Sequence, residues 1–233
     1  MQGETVIFRI LRFKPGLIEP PGYQEFAVRF QWNMTVLDGL EQIRLHQDPT
    51  LIYRHCCHHA SCGTCACTID GHAALACTTR VAGPEAVVTL APLAHHACIG
   101  DLAVDTRSFF KELDAGWETV RPCENSAPER TPEGVGQLMQ LQNCIECGCC
   151  VAACPEASAP GEFMGPAVLA ALNHEARLKP HAKDRLMEIA SDPRGARRCR
   201  RHLSCSRVCP SKVYPARHIA DLLKVIHDPE KTP

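Results

Sequence analysis

The chain has 233 residues, is 45% hydrophobic and 22% charged, and carries a formal net charge of −1. This is an ordinary globular composition with room for one or two domains with real cores, and the near-neutral charge argues against nucleic acid as a main partner. No apolar run approaches the roughly 18 residues of a spanning helix, and the opening MQGETVIFRILRF has no signal-peptide pattern, so a soluble or peripheral intracellular protein is expected.

Residues 6–13 and 25–30 read as strands, with Phe26, Val28 and Phe30 alternating with polar partners. The intervening residues 15–22, PGLIEPPG, read as a turn-rich loop. Thr35, with Asp38 three residues on, caps a short helix whose apolar side carries Val36, Leu37, Leu40 and Ile43. The first cysteine group follows, RHCCHHASCGTCACTIDGHAALAC. Cys57, Cys62 and Cys65 spell C-x4-C-x2-C and Cys77 follows after eleven residues, the plant-type 2Fe–2S spacing. Cys56 abuts Cys57, but it would need five intervening residues before Cys62, so spacing selects Cys57. Gly63 lets backbone amides approach sulfur, and Asp70–Gly71 is a hairpin dipeptide. With closing strands at 87–90 and 102–104, residues 1–105 predict a small β-grasp ferredoxin domain. Residues 106–135 read as a linker punctuated by Pro122, Pro128 and Pro132, with Phe109, Phe110 and Trp117 as a sparse aromatic group.

The second half, 136–233, predicts an α-helical domain around NCIECGCCVAACP. Cys144, Cys147, Cys150, Cys154 and Pro155 form the bacterial C-x2-C-x2-C-x3-C-P run, whose fourth cysteine ligates the other cluster in two-cluster ferredoxins. A second copy has Cys199, Cys205, Cys209 and Pro210, but His202 stands in the slot of the second cysteine. Crossed ligation then gives Cys144, Cys147, Cys150 and Cys209 to a 4Fe–4S cluster. Cys154, Cys199 and Cys205 supply three thiolates, which suit a 3Fe–4S cluster. Helices are expected over 167–174, with Pro166 at its start, and over 185–190 and 219–226. The overall class is α+β, a plant-type ferredoxin domain followed by a bacterial-ferredoxin-like helical one.

Sixteen cysteines in an intracellular chain point to metal rather than disulfides. Zinc, the plainer alternative, fits the nested C-P runs poorly. Eleven cysteines are assigned as ligands; Cys56, Cys67, Cys98, Cys123 and Cys149 are expected to act as small buried hydrophobes. His202 is weighed as a ligand against a side chain beside an open cluster corner. His58 and His59 evoke a Rieske centre, but four spaced cysteines already fill that site. Arg194, Arg197, Arg198, Arg200 and Arg201 read equally as a solvated face or as a contact for an anionic surface. No dinucleotide-type glycine motif is present, so no flavin or substrate site is expected on this chain, and no catalytic residue is assigned.

The order of these three cysteine groups, the extra Cys149 beside Cys150, GDLAVD at 100–105 with Phe109 and Phe110, and EFMGPA at 162–167 resemble the iron–sulfur subunit of succinate dehydrogenase and fumarate reductase. EFMGPA looks more like the fumarate reductase branch. The resemblance covers nearly the whole chain. It implies an electron-transfer subunit of a quinone-linked oxidoreductase, peripheral on the cytoplasmic face of the cell membrane. Its partners would be an FAD-containing flavoprotein subunit, which interconverts succinate and fumarate, and a membrane anchor that exchanges electrons with quinone. Its cofactors would be one 2Fe–2S, one 4Fe–4S and one 3Fe–4S cluster. His58 and Ala60 depart from the family's usual Arg and Gly, and Glu156 to Ala159 replace the tryptophan pair that helps form the quinone site in the dehydrogenase branch. The alternatives are a subunit of a thiol-driven fumarate reductase, a free ferredoxin-like carrier and a zinc-stabilised interaction protein.

Overall fold

A computed structural model describes residues 4–106, 140–159, 161–178 and 182–227. The aromatic group at Phe109, Phe110 and Trp117, most of the expected linker and Cys123 lie outside the described residues.

The first half is built on a five-stranded mixed sheet. Strand β1 (Thr5–Lys14) pairs antiparallel with β2 (Ile18–Arg29) and parallel with β5 (Val87–Ala91), and β3 (Ala66–Ile69) and β4 (His72–Leu75) extend it in the order β2-β1-β5-β3-β4. Alternation along β1 sends Val6, Phe8 and Ile10 into the core with no exposed surface. Burying each contributes about 1.5–3 kcal/mol.

Strand β2 begins at Ile18, not near residue 25 as the prolines of PGLIEPPG suggest. It lies at the sheet edge, and Pro20 and Pro21 fall where its register with β1 shifts between Arg12 and Lys14, so neither proline has a partner there. The β3–β4 hairpin turns at Asp70 (φ 48°) and Gly71 (φ 82°), the left-handed pair that a two-residue turn requires.

Helix α1 (Val36–His46) starts with the expected capping box: Asp38 N donates to Thr35 Oγ1 (3.2 Å) and Thr35 N donates to Asp38 Oδ2 (2.8 Å). Val36, Leu37, Leu40 and Ile43 are buried. Gly39 lets the helix settle on the sheet, since a Cβ there would lie 2.1 Å from Phe8 Cζ. A small hairpin of β6 (Cys98–Gly100) and β7 (Ala103–Val104) completes the first half; only the second of these strands was legible in advance.

The second half is helical: α2 (Cys149–Ala152), α3 (Pro166–Leu178), α4 (Lys183–Ser191), α5 (Ser204–Arg207) and α6 (Pro215–His227). Helix α3 packs on both α4 and α6. The core between them holds Leu169, Leu172, Leu186, Ile219 and Leu222. The two halves touch through the cysteine loops. Cys149 is fully buried within the first core, with Ile145, Cys147 and Ala152 packed against it.

Candidate iron–sulfur sites

Three groups of thiols emerge from these elements. The first lies on the irregular stretch between α1 and β3 and on the turn after β4. The loop reverses through left-handed residues at His58 (φ 62°), Ala60 (φ 60°) and Gly63 (φ 70°). That path aims three backbone amides at one sulfur: His59 N, Ser61 N and Cys62 N donate to Cys57 Sγ at 3.4, 3.2 and 3.3 Å. These bonds, that of His59 foremost, lower the Cys57 thiol to about 7. Cys65 and Cys77 are buried neighbours, and burial raises Cys65 to about 12. Cys57, Cys62, Cys65 and Cys77 therefore converge, and amide donors already face sulfur, as a cluster's sulfurs demand.

The C-terminal thiols rest on a repeated backbone unit. Two and four residues after Cys144 come left-handed Glu146 (φ 52°) and Gly148 (φ 80°), and then short helix α2 with Cys150. Two and four residues after Cys199 come left-handed Arg201 (φ 58°) and Leu203 (φ 63°), and then short helix α5 with Cys205. His202 thus occupies the backbone position that Cys147 holds in the first unit. The two short helices pack on each other.

The units exchange their last cysteines. Cys144, Cys147, Cys150 and Cys209 line one cavity, walled by Leu141, Ile145, Ala167, Ala170, Val213 and Pro215. Cys154, Cys199 and Cys205 line another with Phe163, Leu203 and Ile219. Val213 N donates to Cys209 Sγ at 3.3 Å. The donor set fits iron–sulfur clusters. Burial raises Cys150 well above its usual value, and the nearby thiols of Cys147, Cys144, Cys205 and Cys209 add to the shift. Burial likewise raises Cys205 to about 11, with Cys154 and Cys199 next in effect. Thiolates crowded in an apolar cradle require a cationic core to neutralise them.

His202 also borders the second cavity, but its Nε2 lies 3.2 Å from Glu156 Oε1. Of the arginines nearby, Arg198 pairs with Glu162 (2.6 Å) and Glu156 (3.8 Å), and Arg194 with Asp192 (3.1 Å). Part of that basic face is therefore already neutralised.

Among the unassigned cysteines, Cys67 and Cys149 are buried, Cys98 is half-buried and Cys56 is exposed, against expectation. The cause is position, since Cys56 sits at the mouth of the loop. Cys149 is more than filling: its thiol donates to Cys147 Sγ, the largest reason that Cys147 is lowered to about 7.

Sequence reasoning missed the anchor beneath the first loop. Arg12, next in β1's inward series, is 3% exposed, and Asp101 is 0% exposed. Asp101 Oδ1 accepts from Arg12 Nε (3.1 Å) and Phe13 N (2.9 Å), and Oδ2 accepts from Ile52 N (2.8 Å). Arg12 also pairs with Asp48 at 2.6 Å. The signal was available: extending the β1 alternation by one step places an arginine in the core, and a buried charge requires a partner.

A family described as "2Fe-2S iron-sulfur cluster binding domain" matches residues 7–111, and one described as "4Fe-4S dicluster domain" matches 140–213. The fumarate reductase iron–sulfur subunit of Mycobacterium tuberculosis is 33% identical over 226 residues, covering 91% of this chain and 89% of that protein. The mitochondrial succinate dehydrogenase iron–sulfur subunit 1 of Oryza sativa is 33% identical over 202 residues, covering 82% and 70%. In three dimensions, a chain of the Mycobacterium smegmatis Sdh1 complex superposes with a TM-score of 0.79 at 22% identity, over 99% of both chains.

Proposed function

This chain belongs to the iron–sulfur subunit family of succinate dehydrogenases and fumarate reductases, and from that premise we propose how its residues divide the work. Subunits of this family transfer electrons, and 2Fe–2S, 4Fe–4S and 3Fe–4S clusters supply the one-electron carriers. In our reading Cys57, Cys62, Cys65 and Cys77 hold the 2Fe–2S cluster. Cys144, Cys147, Cys150 and Cys209 hold the 4Fe–4S cluster, and Cys154, Cys199 and Cys205 the 3Fe–4S cluster. The single observation that carries this reading is the exchange of Cys209 and Cys154 between two separately lined cavities.

The chain itself supplies spacing and tuning. Backbone amides face Cys57, the Cys149 thiol faces Cys147, and Val213 N faces Cys209. Hydrogen bonds of this kind stabilise the more negative, reduced state. An FAD-containing flavoprotein on one side and a quinone-linked membrane anchor on the other complete the relay. Among the described residues no helix is long and apolar enough to cross a membrane, and we place the chain peripherally on the cytoplasmic face. The domains divide at about 105, with 106–135 as linker and 136–233 as the second unit.

Electron paramagnetic resonance of the purified complex tests the ligand assignment. Cys209→Ala should abolish the reduced 4Fe–4S signal and spare the 2Fe–2S signal, whereas Cys154→Ala should abolish the oxidised 3Fe–4S signal. The reverse pairing would replace crossed ligation with one run per cluster. In the parent complex, succinate should diminish the 3Fe–4S signal.

A further inference from the structure

One trio of side chains at the mouth of the first loop is left unused by the relay. Glu41 projects from α1, and His55 and His58 flank Cys57 on either side. His55 Nδ1 and His58 Nε2 lie 3.3 Å apart, and Glu41 Oε1 lies 3.5 Å from the first and 3.6 Å from the second. We propose that Glu41, His55 and His58 form a binding site for a divalent first-row cation of the zinc type, tying the Cys57 loop to α1.

Shape, chemistry and preorganisation all favour a bound ion there. Donors at 2.0–2.1 Å from a tetrahedral ion are separated by roughly 3.3–3.4 Å along each edge of the tetrahedron. A nearly equilateral triangle of 3.3, 3.5 and 3.6 Å has that size. Two imidazole nitrogens and one carboxylate oxygen are the donor set of open zinc sites, with the fourth position left for water or a partner's group. His55 stacks on Tyr53, with ring centroids 5.3 Å apart and planes at 28°, and Arg44 lies over the other end of that contact, 5.4 Å from the Tyr53 ring. Glu41 is fixed by the capped helix whose Leu40 is buried beneath it. His58 has left-handed backbone (φ 62°) and meets the His55 ring edge-on at 5.4 Å. All three residues remain partly exposed, so an ion can enter from solvent.

The consequence is mechanical and electrostatic. A bound cation would close a covalent circuit from α1 to the loop that carries Cys57. It would also place positive charge one residue from a cluster ligand.

The test uses the purified, cluster-loaded complex. It is exposed to limiting zinc and then desalted, and zinc and iron are both counted. One zinc per chain beyond the iron is expected. Glu41→Gln and His55→Gln should each weaken binding by more than the roughly 10–100-fold that losing an outer-shell partner costs, with the iron content unchanged. X-ray absorption at the zinc edge gives a second readout that needs no variant. Nitrogen and oxygen scatterers at about 2.0–2.1 Å support the site, whereas a sulfur shell at about 2.3 Å puts zinc on cluster cysteines and overturns it. Failure to retain zinc, or equal retention by both variants, also overturns it. Because the readout is zinc beside intact iron, this result is independent of whether the relay assignment stands.

Discussion

In the N-terminal half, Cys57 and Cys62 sit on an irregular, solvent-facing loop, and Cys57 is approached by three backbone amides. In the C-terminal half, Cys150 and Cys205 sit on one-turn helices; aliphatic side chains wall the first cavity, and Phe163, Leu203 and Ile219 line the second beside Glu156, Arg200 and His202. The first arrangement stores its order in backbone conformation, at His58, Ala60 and Gly63, and depends on a charged anchor underneath. The second stores its order in packing. The halves meet where Gly63, in its left-handed conformation, comes so close to the Cys147 loop that a Cβ would lie 2.5 Å from the Ile145 carbonyl oxygen. Two ways of holding thiolates therefore share one contact, and they should respond differently to the same insults.

Removing the charged anchor should do the most harm, and only to the first half. Arg12→Met leaves Asp101 buried without its cation, which costs about 3–5 kcal/mol and releases the β6–β7 hairpin and the strand leading into the loop. Adding Asp101→Leu should not rescue it. The same carboxylate accepts from Phe13 N and Ile52 N, and each buried amide left unpaired costs about 1–3 kcal/mol. Chemical denaturation followed by visible circular dichroism should show the 2Fe–2S signal lost well before the others. A simultaneous loss of all clusters would mean that the two halves unfold as one.

Acid should reverse that order. Burial lowers His218 to about 4, with His174 and Arg177 as smaller contributors, and Asn173 Nδ2 lies 2.9 Å from its Nδ1. A histidine whose folded value falls below its ordinary 6.5 favours folding fully only above 6.5. That contribution declines as pH falls from 6.5 toward 4, by at most about 3 kcal/mol. The N-terminal anchor does not decline over this window. Burial alone would raise Asp48, but hydrogen bonds from Thr50 and Arg12 outweigh it and hold the carboxyl at about 2, so its contribution is lost only below about 4. Hydrogen exchange between pH 7 and 4.5 should therefore deprotect α3 and α6 while β1 and β5 keep their protection. His218→Gln should flatten the C-terminal response.

Much of this contrast was legible in the chain. Cysteine spacing anticipated which thiols the fold brings together, because most cysteines of each group are close neighbours in the chain, and Thr35, Asp38 and Asp70–Gly71 announced their cap and turn through local chemistry. What escaped was non-local or depended on strand register. Pro20 and Pro21 read as a loop because sequence does not reveal where the β1–β2 ladder shifts its register. Asp101 lies 89 residues from Arg12, so neither residue announces the other, although β1's alternation points Arg12 inward. The matched left-handed residues of the two C-terminal units were hidden because only one of the four is glycine, the residue by which such a conformation is usually recognised. Glu41 and the His55–His58 pair were separated by a helix end and a turn, and only folding closes their triangle.

The smallest expected effect isolates backbone strain in the first loop. Ala60 holds φ at 60°, where a Cβ costs about 1 kcal/mol and glycine costs little. Ala60→Gly should therefore raise the stability of the 2Fe–2S loop by up to about 1 kcal/mol, less whatever the Ala60 methyl contributes by packing against the first core. Ala153→Gly supplies the counterpart in the second half. Ala153 ends α2 in ordinary right-handed conformation (φ −85°), so glycine relieves nothing there and adds freedom to the unfolded chain. The rate at which a chelator bleaches each cluster reads both variants: slower loss of the 2Fe–2S signal in the first, faster loss of the 4Fe–4S signal in the second. Equal and opposite responses of this kind tie the first loop's order to its dihedral angles. If Ala60→Gly bleaches faster, the methyl contact outweighs the strain, and the first loop, like the second, is held chiefly by packing.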